Sequence, residues 1–309
     1  MYGNLRKVIN AIVGRQQLLA NLIMITVIAF WGISFISIKI AVSEIPPTTM
    51  ALIRFAIAST LLLIILKRVE PNRKVDKKDV PQILLGGVLG ITIYFYFENL
   101  GVKLTTASNA SLIVTTVPII AITLDVVFYH GRISILKLAG IGMAVIGTYL
   151  SVTANGNIDI NSNNFVGNML MVGAMLSWAL YTIVNKSLQD KYSGVFLTTC
   201  QTVVGTLCLI PLSLFEYREW QFFSLVSFWN VLFLAVCCSV GCYVLYLYVL
   251  KRLDVTITTL YLNLVPVVGV ISGYLILNEN VQLIQLAGGV LTIIAIIIVN
   301  FEQVLVRRL

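Results

Sequence analysis

Charge is what this sequence has least of. Only 11% of its 309 residues are Asp, Glu, Lys or Arg and 59% are apolar, whereas about a quarter of a soluble domain is charged. That scarcity excludes an ordinary soluble globular protein. Histidine occurs once, as His130, which leaves acid–base or nucleophilic centres a single candidate imidazole. The five cysteines, Cys200, Cys208, Cys237, Cys238 and Cys242, lie inside apolar runs without metal-ligand spacing and read as buried free thiols. There is no phosphate-cradling glycine loop, zinc motif or nucleophile elbow. These absences argue against an enzyme, and neither a cofactor nor a metal is expected.

What is present is a succession of apolar runs. A hydrocarbon core about 30 Å thick takes about 20 residues per helix, so this length accommodates about ten spans and little else. The expected fold is an all-α polytopic membrane protein with spans near 21–42, 47–66, 81–101, 106–129, 134–153, 165–186, 194–214, 225–249, 255–277 and 282–303. Residues 1–20 read as a cytoplasmic N-terminal segment. The Asn-rich, Lys- and Arg-free stretch 154–164 reads as an extracytoplasmic linker between a first five-helix unit (21–153) and a second (165–305). No small-residue cleavage site follows the first run, so it is read as a span rather than a removed signal.

A net charge of +8 could suggest nucleic acid, but its distribution points elsewhere. Seventeen of the 21 lysines and arginines fall in alternate loops, six of them between Lys67 and Lys78, while Lys103 and Arg218 fall on the other side. This asymmetry reports orientation, with both termini in the cytoplasm and the chain in the cell's inner or plasma membrane. The expected partners are therefore the lipid bilayer and a small molecule, with no nucleic acid.

The sequence also repeats. A shift of 148 pairs Lys103 with Lys251, Leu112 with Leu260, Val117-Pro118 with Val265-Pro266 and Ala139-Gly140 with Ala287-Gly288. Five spans per half is an odd number, so the halves are expected to be inverted, with a central cavity between them.

The polar residues inside spans are the candidate site. Ser108, Ser111, Thr115, Pro118 and Asp125 share a face of the fourth helix, and Thr256, Thr259, Asn263 and Pro266 repeat the register in the ninth. Such stripes either line a cavity or hydrogen-bond helices together, and the mid-span prolines, as gating kinks, favour the cavity. Glu98 lies one turn after Tyr94, and a carboxylate there costs about 2.5–3.5 kcal/mol on the insertion scale. It is a candidate for substrate binding or proton coupling, with Lys39 or Arg54 as its counter-charge and Asp125 as a second candidate carboxylate. Trp31, Ser34 and Phe35 share one face, as do Trp178, Tyr181 and Asn185. With Tyr243 and Tyr246 they would suit an amphipathic organic solute, although any single ring reads equally as packing. Glycines on the fifth and tenth helices mark packing elements, in a monomer or a dimer.

WGISFISIKI (31–40), PPTTMALIR (46–54), LTTASNASLIVTTVP (104–118), LKRLDVTITTLYLNLVPVVGVISGYLILNE (250–279) and QLAGG (285–289) together resemble the drug/metabolite transporter superfamily, in its ten-helix EamA-type branch. The resemblance implies a basket of helices 1–4 and 6–9 around a central cavity, with helices 5 and 10 as support. It also implies transport of a small organic solute, usually export, by alternating access. An amino acid or related metabolite is the expected substrate, a multidrug or toxic-cation exporter being one alternative and a non-transporting receptor or scaffold another. Two departures stand out. Gly131 occupies the first-half counterpart of Glu279, and Glu98 and Asp125 sit where the family is more often apolar.

Overall fold

The computed structural model describes residues 2–117, 119–120, 123–124, 135–153, 162–250, 252 and 261–306. Among these residues the architecture is all-helical, with no strand. The helices are α1 (Tyr2–Glu44), α2 (Pro47–Val69), α3 (Lys77–Leu104), α4 (Ala107–Ile113, continued by a 3-10 turn Val114–Thr116), α5 (Ile135–Thr153), α6 (Asn163–Asn185), α7 (Gly194–Leu214), α8 (Leu225–Leu250), α9 (Val265–Leu277) and α10 (Leu283–Val306). Six of these contain stretches long and apolar enough to cross a membrane: Gln16–Glu44, Pro47–Val69, Lys77–Leu104, Asn163–Asn185, Gly194–Leu214 and Leu225–Leu250. Shorter apolar helices occur at Leu138–Gly147, Val265–Leu277 and Leu283–Ala295. The linker 154–161 and the carboxylate candidate Asp125 lie outside the described residues.

The N-terminal segment is not separate from the first span. α1 runs without interruption from Tyr2 to Glu44, because Gln16-Gln17-Leu18-Leu19-Ala20 are strong helix formers with no breaker before the apolar run. The next boundary is sharper. Pro46 ends the α1–α2 turn and Pro47 opens α2, where a missing N–H costs nothing.

α2 and α7 form the clearest internal correspondence. Glu70, just past the end of α2, accepts a hydrogen bond from Ser193, the N-cap of α7. Glu216, just past the end of α7, accepts from the Thr48 and Thr49 backbone N–H groups at 3.0 and 2.7 Å. Each helix therefore starts where the other ends, and the two are antiparallel. At the crossing, Ser59 and Thr206, which are 147 residues apart, share a hydrogen bond of 2.9 Å. Carboxylates at helix N-termini satisfy orphan N–H groups and match the positive end of the macrodipole.

The same device recurs beside the start of α2. Glu44 accepts from the Ser224 backbone and hydroxyl at the N-cap of α8. At the opposite end of the bundle, Asp79 accepts from Lys191 Nζ and Tyr192 OH, each at 2.9 Å, tying the start of α3 to the α6–α7 loop. The Asp79 carboxylate holds the Lys191 ammonium above the ordinary lysine range.

α5 and α10 pack on each other, with Ala144 and Ala295 in one small buried cluster with Ile119. Their outer faces expose Ile135, Leu138, Val145, Leu283 and Val290, an apolar surface suited to lipid. Phe215, Trp220, Phe222 and Trp229 are exposed around the α7–α8 connection, as in an aromatic belt at a membrane interface.

Candidate functional site

The core of the bundle contains a cavity of about 340 Å³ walled by both halves of the chain. Its position follows from departures from regular helix, and these occur at equivalent points in the two halves. α3 contains a π segment at Val88–Ile93 and α8 one at Leu234–Gly241, offset by about the repeat length. α4 tightens into its 3-10 turn at Val114–Thr116, and the chain before α9 turns at Asn263-Leu264. Thr115 and Asn263, 148 apart, both line the cavity. Non-helical backbone at such depth is stable only where packed protein or a cavity meets its polar groups, and π bulges gather at functional sites.

The π segments free backbone carbonyls that the neighbouring helix uses. Trp31 Nε1 on α1 donates to the Cys238 carbonyl of α8 at 3.3 Å. In the other half, Ser177 Oγ on α6 donates to the Leu89 carbonyl of α3 at 2.8 Å. Trp31 is thereby fixed at the wall, 6.0 Å from Tyr243 and 5.6 Å from Tyr246 between ring centroids. Tyr94 and Trp178 form a second aromatic contact at 5.2 Å. Ser34, Phe35 and Pro266 complete the predicted residues found at this surface.

Arg54 and Glu98 supply the charge. Both side chains are about 95% buried, and both residues line the cavity. Arg54 Nε donates to Ser239 Oγ, in the π segment of α8, at 2.8 Å. Its guanidinium carbon lies 4.6 Å from the Phe95 ring centroid and 5.1 Å from that of Phe55, which holds the plane by cation–π contact. One terminal guanidinium nitrogen has no partner. Glu98 Oε1 accepts from Tyr94 OH at 2.8 Å, and Oε2 has no partner. The two do not approach as an ion pair.

Several predicted roles need correction. Lys39 is not a counter-charge for Glu98; its ammonium donates to the Val102, Lys103 and Thr105 carbonyls, capping the C-terminus of α3 where the dipole favours a cation. Ser108 and Ser111 do not line the cavity. Ser108 gives its backbone N–H and hydroxyl to Glu279, and Ser111 donates to the Ser108 carbonyl while packing against Gly269.

Tyr181 and Asn185 belong to a separate network: Tyr181 OH donates to Gln201 Oε1 at 3.2 Å, and Gln201 Nε2 donates to Asn185 Oδ1 at 2.6 Å. Pro266 is not a mid-helix kink, since it stands in the first turn of α9 after the Asn263-Leu264 turn, where its absent N–H is harmless. Pro118 falls outside the described residues.

The sequence reading missed Phe95, Val114, Cys238, Leu262 and Ser239 as contributors. Helical periodicity assigned to α3 and α8 carries no signal for a π segment. The pairs Gly86-Gly87 and Val240-Gly241 were the available hints.

Glu279 has a defined structural task. Asn278 takes the left-handed conformation, φ 53°, as the C-cap of α9, a position that Asn tolerates well. The turn sends the Glu279 carboxylate onto the Ala107 and Ser108 N–H groups at 2.7 and 2.9 Å.

An all-helical apolar bundle with a buried, partly charged cavity between its halves defines a membrane transport protein, and the comparisons with known proteins agree. The model of the EamA-like transporter family matches twice, at residues 18–153 and 165–301. The chain belongs to that family, as a transporter and not an enzyme. An uncharacterized transporter of Archaeoglobus fulgidus is 29% identical, over 92% of this chain and 98% of the relative. The uncharacterized transporter YetK of Bacillus subtilis is 26% identical over 89% and 84%. A probable terminal-alkyne amino-acid exporter of Streptantibioticus cattleyicolor is 25% identical over 92% and 94%. A crystal structure sharing 17% identity superposes with a TM-score of 0.62 over 90% of this chain and 97% of its own, a likeness of fold.

Proposed function

We propose that the protein is a secondary active transporter that exports a small organic solute of amino-acid size from the cell by alternating access. The observation that carries this reading is the cavity itself: about 340 Å³, built from both halves, at the level where α4 and the chain before α9 leave regular helix. Its volume lies at the low end of ligand pockets, which run about 300–1,000 Å³, and suits a metabolite better than a large drug. Broken helices meeting at a substrate site between repeats are the recurrent design of secondary transporters.

In this reading ten spans form two inverted five-helix repeats. The antiparallel α2–α7 pair and its 147-residue contact at Ser59 and Thr206 support the inversion. The basic α2–α3 loop faces the cytoplasm of the inner or plasma membrane with both termini. Alternating access would rock one repeat against the other about the α2–α7 crossing. Glu98 is the candidate proton-coupling carboxylate of the described residues. The amino-acid exporter among the relatives agrees with the substrate size.

The test is counterflow in liposomes holding the purified protein, preloaded with amino acids and diluted into a labelled tracer. Accumulation of tracer above protein-free liposomes is expected and should respond to an imposed pH gradient. No accumulation with any of the amino acids, nucleosides or organic cations offered would leave a receptor or scaffold as the better reading. Unchanged pH dependence in Glu98→Gln would remove that residue from coupling.

A further inference from the structure

We infer that the connection between α2 and α3 is an anchoring site for acidic phospholipid, with the phosphate held by Lys67, Arg68, Lys74 and Lys77 and the acyl chains lying along exposed apolar stripes of the two helices. The inference concerns a surface outside the cavity and does not depend on what the cavity carries.

Between Lys67 and Asp79 the chain holds six cations against three carboxylates. The carboxylates are already engaged: Glu70 accepts from Ser193, Asp79 from Lys191 and Tyr192, and Asp76 lies 4.0 Å from Lys78. Arg73 commits its guanidinium to the Lys191 carbonyl and the Tyr192 ring. Lys67, Arg68, Lys74 and Lys77 are exposed and have no hydrogen-bond or ion-pair partner among the described residues. Asp190, the acidic residue exposed on the facing α6–α7 loop, pairs with none of them.

These charges are not free to spread apart. Glu70, Arg73 and Asp79 all attach to the three residues Lys191–Ser193, so the connection is drawn back onto one short stretch, with Arg68 and Lys78 within two residues of its anchors. Like charges gathered in this way repel one another. The helix dipoles do not resolve the repulsion. The C-terminal end of α2 favours Lys67 and Arg68, but the start of α3 is a positive end, which opposes Lys77 and Lys78.

The surroundings of the charges say which anion fits. On α2, Thr60, Leu63 and Ile64 are exposed at helical spacing, and Lys67 and Arg68 continue that face one turn later. On α3, Val80, Leu84 and Leu85 are exposed just after Lys77 and Lys78. In a membrane protein such faces meet acyl chains, so each ends in a basic pair at the depth of the headgroups, with aliphatic stems along the apolar face and charged ends in the polar layer. Clusters of about four to eight Lys and Arg beside a span attract anionic lipid, and here the stripes supply contact for the apolar part of the same molecule. A soluble anion would use the charges and leave the stripes without a role.

The test uses the purified protein, stripped of lipid in an uncharged detergent, and three probes: phosphatidylglycerol, phosphatidylcholine with the same acyl chains, and inorganic phosphate. Thermal unfolding reads binding, because a ligand selective for the folded state raises the midpoint. Phosphatidylglycerol should raise it by about 2–4 °C more than phosphatidylcholine, and inorganic phosphate should leave it unmoved. Lys67→Gln with Arg68→Gln, or Lys74→Gln with Lys77→Gln, should remove about half of that advantage or more. Lys103→Gln with Arg218→Gln, which takes the same charge from the opposite end of the bundle, should keep it.

Equal shifts from the two lipids, or an equal loss in the Lys103 and Arg218 variant, would overturn the inference. A shift from inorganic phosphate as large as that from phosphatidylglycerol would overturn it in favour of an anion site without a lipid component. Where a variant does not fold, the wild type decides alone. Raising sodium chloride from about 0.1 to 1 M shortens the screening length from about 10 to 3 Å and should abolish the advantage of phosphatidylglycerol; an advantage that survives in full would sink the proposal.

Discussion

Arg54 on α2 and Gln201 on α7 stand 147 residues apart on equivalent helices, and they are built into opposite situations. Gln201 has both ends of its amide engaged, by Tyr181 and Asn185, and the space beside it is only about 10 Å³. Arg54 has one tie to Ser239 and a terminal nitrogen left over, beside a cavity of about 340 Å³. Glu98 and its counterpart Tyr246 differ in the same sense: one is a carboxylate with a free oxygen, the other a ring packed on Trp31. At these two pairs of positions the second half packs its side chains, while the first leaves charged atoms without partners beside the cavity that both halves wall. The frame is common to both halves, and the unpartnered charged atoms among the described buried residues, on Arg54 and Glu98, both fall in the first.

The largest expected effect comes from removing the charge that the first half carries and the second does not. Glu98→Gln removes one charge and should lower liposome flux by about 10- to 100-fold, since a hydrogen bond to a charged group contributes about 1.5–3 kcal/mol. Tyr246→Phe, at the equivalent place, deletes only a hydroxyl and should change flux by less than about threefold. Equal losses from the two substitutions would mean that the halves contribute alike to binding.

Much of this frame is legible in the sequence, and the reason is physical. Apolar runs of bilayer length and the 148-residue shift report directly on helices and duplication, because lipid leaves the backbone few options. Thr115 and Asn263 were readable as cavity candidates from the same alignment. What was not legible depends on distance between segments. Nothing local in Lys39 tells that it reaches three carbonyls at the end of α3 rather than Glu98, and nothing in Ser108 tells that Glu279 lies over it. A hydroxyl stripe looks the same whether it faces a ligand or a carboxylate from another helix. The π segments escaped for a related reason, since one extra residue per turn shifts the face that follows without altering composition.

The Glu279 cap offers a second contrast between halves, because the matching position in the first is Gly131. Glu279→Ala should strip three hydrogen bonds from the start of α4 and lower stability by about 1–3 kcal/mol, read as a drop in thermal midpoint. Glu279→Gln, which keeps an acceptor but not the charge, should fall between the two. An unaffected midpoint in Glu279→Ala would mean that Thr106, the local N-cap, suffices for α4.

Glycines separate α3–α6 packing from merely permissive positions. A Cβ on Gly167 would stand 2.7 Å from the Thr105 nitrogen and 2.9 Å from the Gly101 carbonyl oxygen, backbone atoms that cannot rotate away. Gly167→Ala should therefore cost about 1–3 kcal/mol through overpacking. Gly173 on the same helix has its nearest neighbour at 3.4 Å, on the Phe97 ring, and Gly173→Ala should be neutral or slightly stabilising through helix propensity. Thermal unfolding of the pair distinguishes a close helix crossing from general intolerance of side chains on α6.

The smallest effect tests the crossing point itself. Ser59 and Thr206 meet across α2 and α7 with their hydroxyls 2.9 Å apart, but Thr206 also reaches the Thr202 carbonyl at 2.7 Å and the Phe55 carbonyl at 3.3 Å. Those alternatives should absorb much of the loss when Ser59 is removed. A double-mutant cycle of Ser59→Ala and Thr206→Ala should give a coupling near the average for hydrogen bonds between membrane helices, about 0.6 kcal/mol. A coupling well above about 1.7 kcal/mol, the upper end for such bonds, would make this contact a strong tie between the repeats. A small value is what a pivot requires, since two repeats that rock against each other need a contact at the crossing that can loosen and re-form at little cost.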